Sequence, residues 1–201
     1  MKTDRSAKEP GTRNPKLGTR NQSRTEIVLR AFRYAALKHR HQYLADGVTP
    51  YFSHVTRVCW ILRDLFGIRN LDTVVATILH DVVEDTNTPL GEIEEFFGKT
   101  IALYVDLLTK DERLPKQRRE REYHDKLLNA PETVQIAKLA DIYDNLSRRV
   151  GTPRLASTLK KARSFAAAFD KKLASPRGRI ALDHVRRLIS EIEAGTVSGG
   201  F

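Results

Sequence analysis

Apolar side chains recur at helical spacing along most of the chain, and polar clusters with turn residues separate the runs. Ser23-x-x-Glu26 forms a capping box ahead of "IVLRAFRYAALKHRHQ" and predicts a first helix there. The turn-rich "ADGVTPY" ends it, and "SHVTRVCWILRDLF" predicts a second helix with Val58, Ile61, Leu62 and Leu65 on one face. A third is predicted from Leu71 to Glu84. Thr88-Pro89 starts a short helix that Gly98 ends. Thr100 to Leu108 follows, with Ile101, Tyr104, Val105 and Leu108 on one face. The charged loop "TKDERLPKQ" leads to a polar helix ending near Asn129, and Pro131 starts the next. Two more run roughly from Arg154 to Leu173 and from Arg179 to Ala194. No run reads as a strand and no segment repeats. The fold class expected is all-α, a compact bundle in which helices from distant parts of the chain meet at one site.

One stretch does not serve folding alone. In "ATILHDVVEDT", His80, Asp81, Glu84 and Asp85 interrupt an apolar helical run. On a continuous helix with His80 at 0°, Glu84 falls at about 40°, Asp81 at about 100° and Asp85 at about 140°. Thr77, at about 60°, shares that arc, while Val75, Leu79, Val82 and Val83 fall between about 200° and 300°. An amphipathic surface helix with solvated acids produces the same arc. The aliphatic pairs Ile78-Leu79 and Val82-Val83 on either side of His80-Asp81 favour a cleft, where these groups hold a cation and a water.

A metal site needs further ligands. His54 points along the apolar stripe of its own predicted helix. A histidine there is more often a satisfied core residue than a ligand, so His54 is a candidate that needs partners. Asp141 lies in the aliphatic "VQIAKLADIYDNL", with Asn145 one turn on. A carboxylate in such a run requires a partner, because an unpaired buried charge is costly. Two imidazoles and two carboxylates form a mixed nitrogen–oxygen set suited to Mn²⁺, Fe²⁺ or Zn²⁺.

The 201 residues, 40% apolar and 30% charged, fit one globular domain with a full-sized core, expected over residues 23–194. Residues 1–22 carry six Lys/Arg against two acids among Gly, Pro, Thr and Asn, and are expected to form a disordered basic tail. "GTVSGGF", residues 195–201, is expected to fray. The single cysteine, Cys59, has no intrachain disulfide partner and reads as a small core residue, which points to a reducing cytoplasm. The N-terminus lacks an apolar signal region and no apolar run approaches membrane-spanning length, so neither secretion nor membrane insertion is expected. The net charge of +10 implies a phosphate-rich partner. Aromatics do not interleave with the basic segments as on a single-strand stacking platform. Nucleic acid is therefore expected at most weakly, through the tail. An oligomer is compatible with the sequence.

"TPYFSH", "ILHDVVEDT", "FFGKTI", "LTKDERLPKQRR" and "KLADIYDNL", in this order between Ile27 and Leu173, resemble the HD superfamily of metal-dependent phosphohydrolases. Within it they resemble the hydrolase domain of Rel/Spo homologues, and most of all the free-standing small alarmone hydrolases. The resemblance implies Mn²⁺-dependent removal of the 3′-pyrophosphate of (p)ppGpp, giving GDP or GTP and pyrophosphate. It matches His54, His80, Asp81 and Asp141 to the metal ligands. It matches Glu84 and Asp85 to the acidic pair that handles the attacking water, without separating their roles. One-turn spacing from His80 favours Glu84. Asn145 matches a nucleotide-side contact, and Lys116, after Leu114-Pro115, a basic residue near the phosphates.

Two departures concern the base. Family members carry basic residues shortly before the TPY turn, where this chain reads Gln42-Tyr43-Leu44-Ala45-Asp46. Tyr43 is a candidate stacking partner there. The place of an aromatic pair after the NL motif holds Ser164-Phe165, with Lys160 one turn earlier as a candidate phosphate contact. An altered nucleotide preference is therefore expected, with adenosine-type alarmones such as (p)ppApp as the candidates. Two other readings remain at this point. One is another HD phosphohydrolase acting on nucleotides. The other is a non-catalytic basic module that binds nucleic acid or regulates a synthetase.

Overall fold

The computed structural model describes residues 23–197. The expected basic tail over 1–22, and the last four residues of the expected C-terminal tail, lie outside the described residues. The elements are α1 (Arg24–Lys38), α2 (Phe52–Trp60), α3 (Leu71–Ile78), α4 (Val82–Asp85) and α5 (Leu90–Phe97), then α6 (Lys99–Leu108), α7 (Lys116–Leu128), α8 (Glu132–Ser147), α9 (Leu155–Asp170) and α10 (Pro176–Glu193). Strands are absent among the described residues; Tyr43 and Pro50 form one isolated bridge. The fold is all-α, as the apolar periodicity predicts. No helix among the described residues is long and apolar enough to cross a membrane.

Local chemistry sets most helix ends. The Ser23 hydroxyl accepts from the Glu26 amide while the Glu26 carboxylate accepts from the Ser23 amide, the reciprocal capping box. Asn70 caps α3 through the Thr73 amide, and Ser175 caps α10 ahead of Pro176. The start of α5 differs from expectation. Its cap is Pro89 and the helix begins at Leu90, because the Thr88 hydroxyl pairs with that of Thr86 and does not reach the helix amides. Beyond Trp60, α2 continues as a π-helical turn over Ile61–Leu65, closed by Phe66 N–H donating to the Ile61 carbonyl.

Two helices form the centre. Every residue from Thr73 to Ile78 in α3 is buried, because α1, α2, α6 and α8 pack around it. Helix α8 is buried along most of its length against α2, α9 and α10. A helix as apolar as α3 belongs in such an interior, and Cys59 of α2 is buried as a core residue.

The predicted helix from Leu71 to Glu84 is two helices. α3 stops at Ile78, Leu79 leaves helical geometry at φ −100°, ψ 1°, and α4 restarts at Val82. The cause is local. The Thr77 carbonyl, which a continuing helix would offer to the Asp81 amide, accepts instead from His80 Nδ1 at 2.7 Å. The polar arc drawn on a continuous helix therefore does not exist. Thr77 is buried, its hydroxyl donating to the Thr73 carbonyl, and His80 and Asp81 sit in the break.

At the far end, Gly195 adopts φ 67°, Thr196 N–H returns to the Glu191 carbonyl, and Val197 packs on the core. The first three residues of the expected frayed tail thus form a helix-terminating turn.

Candidate active site

Three distant segments supply the site. His54 comes from the first turn of α2, His80 and Asp81 from the break between α3 and α4, and Asp141 from the middle of α8. Ligand-capable atoms of His54, His80 and Asp81 all lie within 4.8 Å of one another. His54 Nε2 is 3.5 Å from Asp81 Oδ2 and 3.3 Å from Asp141 Oδ1. His80 Nε2 is 3.0 Å from the same Asp81 oxygen and 3.9 Å from the same Asp141 oxygen. Two imidazole Nε2 atoms and two carboxylate oxygens therefore face one small volume.

Outer contacts fix each of these groups. His54 Nδ1 is 2.6 Å from Asp144 Oδ2, and His80 Nδ1 is 2.7 Å from the Thr77 carbonyl. Both acceptors call for a proton on Nδ1, which leaves the two Nε2 atoms pointing inward. Burial works to lower both imidazoles, but the surrounding carboxylates outweigh it and raise them above their ordinary value. Asp144 is buried, and Arg57 donates to both its oxygens, Nε at 2.6 Å and the terminal nitrogen at 3.2 Å. The Tyr51 hydroxyl donates a short hydrogen bond to Asp81. Asp141 accepts from Lys138 Nζ at 2.7 Å and from Asn145 Nδ2, whose own oxygen accepts from Arg148.

The electrostatics suit a cation. Burial works to raise Asp141, but Lys138 and the two histidines outweigh it and hold the carboxyl well below the usual range. Asp81 behaves likewise, burial being outweighed by His80 and His54. Both carboxylates are thus ionised in a nearly closed environment. His80 Nε2 is buried and has no hydrogen-bond partner among the described residues. An inward imidazole nitrogen left unpartnered between two ionised carboxylates and a second imidazole fits a divalent cation, which would take the place of the Nε2 proton; each donor type also suits one.

These groups form the floor of a cavity of about 410 Å³. Glu84 and Asp85 line it. Glu84 is held from one side, accepting from the Lys110 amide at 3.0 Å and from Lys110 Nζ at 3.3 Å. Asp85 is exposed toward the open cavity. Partial desolvation and the negative charge of Asp81 push its carboxyl up to about 6. The one-turn alignment that favours Glu84 over Asp85 is lost with the helix break.

The structure brings most of the sequence-predicted residues to this cavity. His54, Asp81, Glu84, Asp85, Asp141, Asn145 and Tyr43 line it, and buried His80 backs the floor. Lys116 and Lys160 do not line it; both are exposed elsewhere. On α9 the buried residues Thr158, Ala162 and Phe165 line the cavity, so Lys161 faces it and Lys160 turns away by one helical position. Lys116 opens α7, whereas Lys110, before the loop, reaches Glu84. Residues missed from sequence are Lys110, Lys138, Asp144, Arg148, Arg149, Arg154 and Lys161. A signal existed for some. Asp141, Asp144, Asn145 and Arg148 recur at i, i+3, i+4 and i+7 on one face of an otherwise buried helix.

An HD domain model matches residues 31–177. A guanosine-3′,5′-bis(diphosphate) 3′-pyrophosphohydrolase MESH1 from Danio rerio is 39% identical over 127 residues, 63% of this chain and 71% of that one. A GTP pyrophosphokinase rsh from Brucella melitensis is 35% identical over 174 residues, 83% of this chain but 22% of that one. Among solved structures, a metazoan orthologue of SpoT that hydrolyses ppGpp superposes with a TM-score of 0.69 at 28% identity, covering 85% of this chain and 97% of that chain.

Proposed function

The chain belongs to the HD-domain family, and we propose that it is a metal-dependent pyrophosphohydrolase that removes the 3′-pyrophosphate of ppGpp-type alarmone nucleotides. The products are pyrophosphate and GDP or GTP. The observation that carries this reading is the juxtaposition of an inward-facing His54–His80–Asp81–Asp141 cluster with a basic wall across the same cavity. These four residues would hold the cation, Mn²⁺ first for a mixed imidazole–carboxylate set, with Zn²⁺ or Fe²⁺ able to use the same donors. When bound, the cation supplies Lewis acidity, neutralising phosphate charge and lowering the pKa of a water.

The remaining steps belong to protein groups. Asp85, open to the cavity, takes the proton of the attacking water on its carboxylate. Glu84, both of whose oxygens accept from Lys110, orients that water and stays in place. Lys138 and Asn145 hold Asp141 in one orientation. Arg148, Arg149, Arg154 and Lys161 take the phosphates, the part assigned from sequence to Lys116 and Lys160. Tyr43 stacks on the base. The segment 42–46 that carries it has no Lys or Arg of its own, which supports a preference for adenosine-type alarmones.

The test is a product assay by chromatography on ppGpp and ppApp with the purified full chain, chelated and then resupplied with Mn²⁺. Metal-dependent release of pyrophosphate is expected. Absence of release from both nucleotides would reject the activity. Turnover of ppGpp far above that of ppApp would reject the purine preference alone. Asp85→Asn is expected to lower kcat roughly 10²- to 10⁴-fold, more than Glu84→Gln. The reverse order would exchange their roles.

A further inference from the structure

Behind the cavity, His39 at the C-terminal cap of α1 is buried, with 1% of its surface exposed. The proposed reaction gives it no part. Its Nδ1 lies 2.6 Å from Gln42 Oε1, and Gln42 Nε2 donates to the backbone carbonyl of Asp85 at 2.5 Å. The orientation of the Gln42 amide is set by chemistry. The Asp85 carbonyl can only accept, so it requires the NH₂ end of the amide. Gln42 Oε1 then faces His39 and requires a proton on His39 Nδ1. Burial pushes the imidazole below its ordinary value, which keeps it neutral with that single proton. The ring also lies against Tyr51, centroids 5.0 Å apart, and the Tyr51 hydroxyl holds Asp81. Gln42 is further tied to the cavity rim. Its carbonyl accepts from the Tyr51 amide at 2.8 Å, and its neighbour Tyr43 forms the bridge to Pro50.

We infer that His39 and Gln42 are positioning residues, a strut that sets the end of α4, and with it the Asp85 carboxylate, in register with the rim that receives the nucleotide. The inference rests on the reading of Asp85 as proton acceptor. Without the strut, the end of the four-residue helix α4 loses its tie to the rim. A shift of about 1 Å between acceptor and water is enough to lose activity by about two orders of magnitude.

The experiment compares Gln42→Met, which removes donor and acceptor at similar size, with Gln42→Glu, which keeps the acceptor for His39 and sets a carboxylate against the Asp85 carbonyl. His39→Asn and His39→Leu complete the set, the asparagine amide replacing the Nδ1 donor. Steady-state kinetics on ppGpp, Mn²⁺ affinity by calorimetry and the melting temperature are measured on the full chain. Both Gln42 variants are expected to lower kcat roughly 10- to 100-fold with Mn²⁺ affinity unchanged. His39→Asn should recover most of the kcat that His39→Leu loses. Two results would overturn the strut: kcat within about twofold of the parent in folded Gln42 variants, or kcat and Mn²⁺ affinity falling together, which makes Gln42 part of the metal cage. If Gln42→Met does not fold, Gln42→Glu and the His39 pair decide on the same criteria. Asp85→Asn, which keeps the backbone carbonyl, runs in parallel. Full turnover by that variant rejects the proton-acceptor reading whatever the Gln42 variants do.

Discussion

The floor of the cavity and its rim are built on opposite principles. At the floor, each inward-facing group is held by a second one: His54 by Asp144, His80 by the Thr77 carbonyl, Asp81 by Tyr51, and Asp141 by Lys138 and Asn145. The chain of support continues outward, since Asp144 is itself clamped by Arg57. At the rim, Tyr43 is 55% exposed, and it stands on a turn that Asp46 organises by accepting from the Val48 and Thr49 amides. The opposite rim is a set of arginine and lysine side chains on α8, the following loop and α9. Buried charges persist only when fully paired, because removing one partner of a buried pair costs about 3–5 kcal/mol. Exposed charges carry no such requirement, and an exposed pair is worth about 0–1 kcal/mol. The floor therefore tolerates little change, while the rim is free to vary with substrate.

That contrast can be broken most severely at the floor. Asp81→Ala removes a floor carboxylate and leaves Tyr51 unpaired. Loss of Mn²⁺ binding by calorimetry and a fall in kcat of at least about 10³-fold are expected. A variant that keeps turnover would remove Asp81 from the ligand set. One layer out, Asp144→Ala leaves His54 Nδ1 and Arg57 without their acceptor. Metal affinity should weaken by about 10- to 100-fold while added Mn²⁺ restores part of the activity. At the rim, Tyr43→Ala should raise KM by roughly tenfold, the scale of one lost base stack, with kcat little changed. Unchanged KM would place the base elsewhere. Smallest is Arg154→Ala, at an exposed side chain lining the cavity and proposed to take a phosphate. A rise in KM of about two- to fivefold that shrinks as salt is added is expected from a kinetic salt series.

The division between floor and rim also governs what is legible along the chain. His54, His80, Asp81 and Asp141 stand out because each interrupts an apolar run, an interruption that packing alone does not explain. Their convergence in one volume is a geometric fact of the fold. The rim residues carry no such mark. Lys160 and Lys161 are neighbours of the same type in a basic segment, and only the packing of Thr158, Ala162 and Phe165 decides which of them faces the cavity. Lys116 and Lys110 differ in the same way. The Thr77–Asp81 break was illegible because helical periodicity treats the backbone as continuous, and a histidine side chain took one of its carbonyls. The pairing of Asp144 with His54 spans 90 positions and leaves no local trace.

Helix content, most helix ends and the identity of the inward-facing polar groups follow from residue order, since caps, turns and apolar periodicity act over a few residues. The helix break at His80, the choice of Lys161 over Lys160, the distinct settings of Glu84 and Asp85, and the strut from His39 through Gln42 to Asp85 came from the folded chain. Each depends on a hydrogen bond, or on a helix facing, that only packing between elements selects.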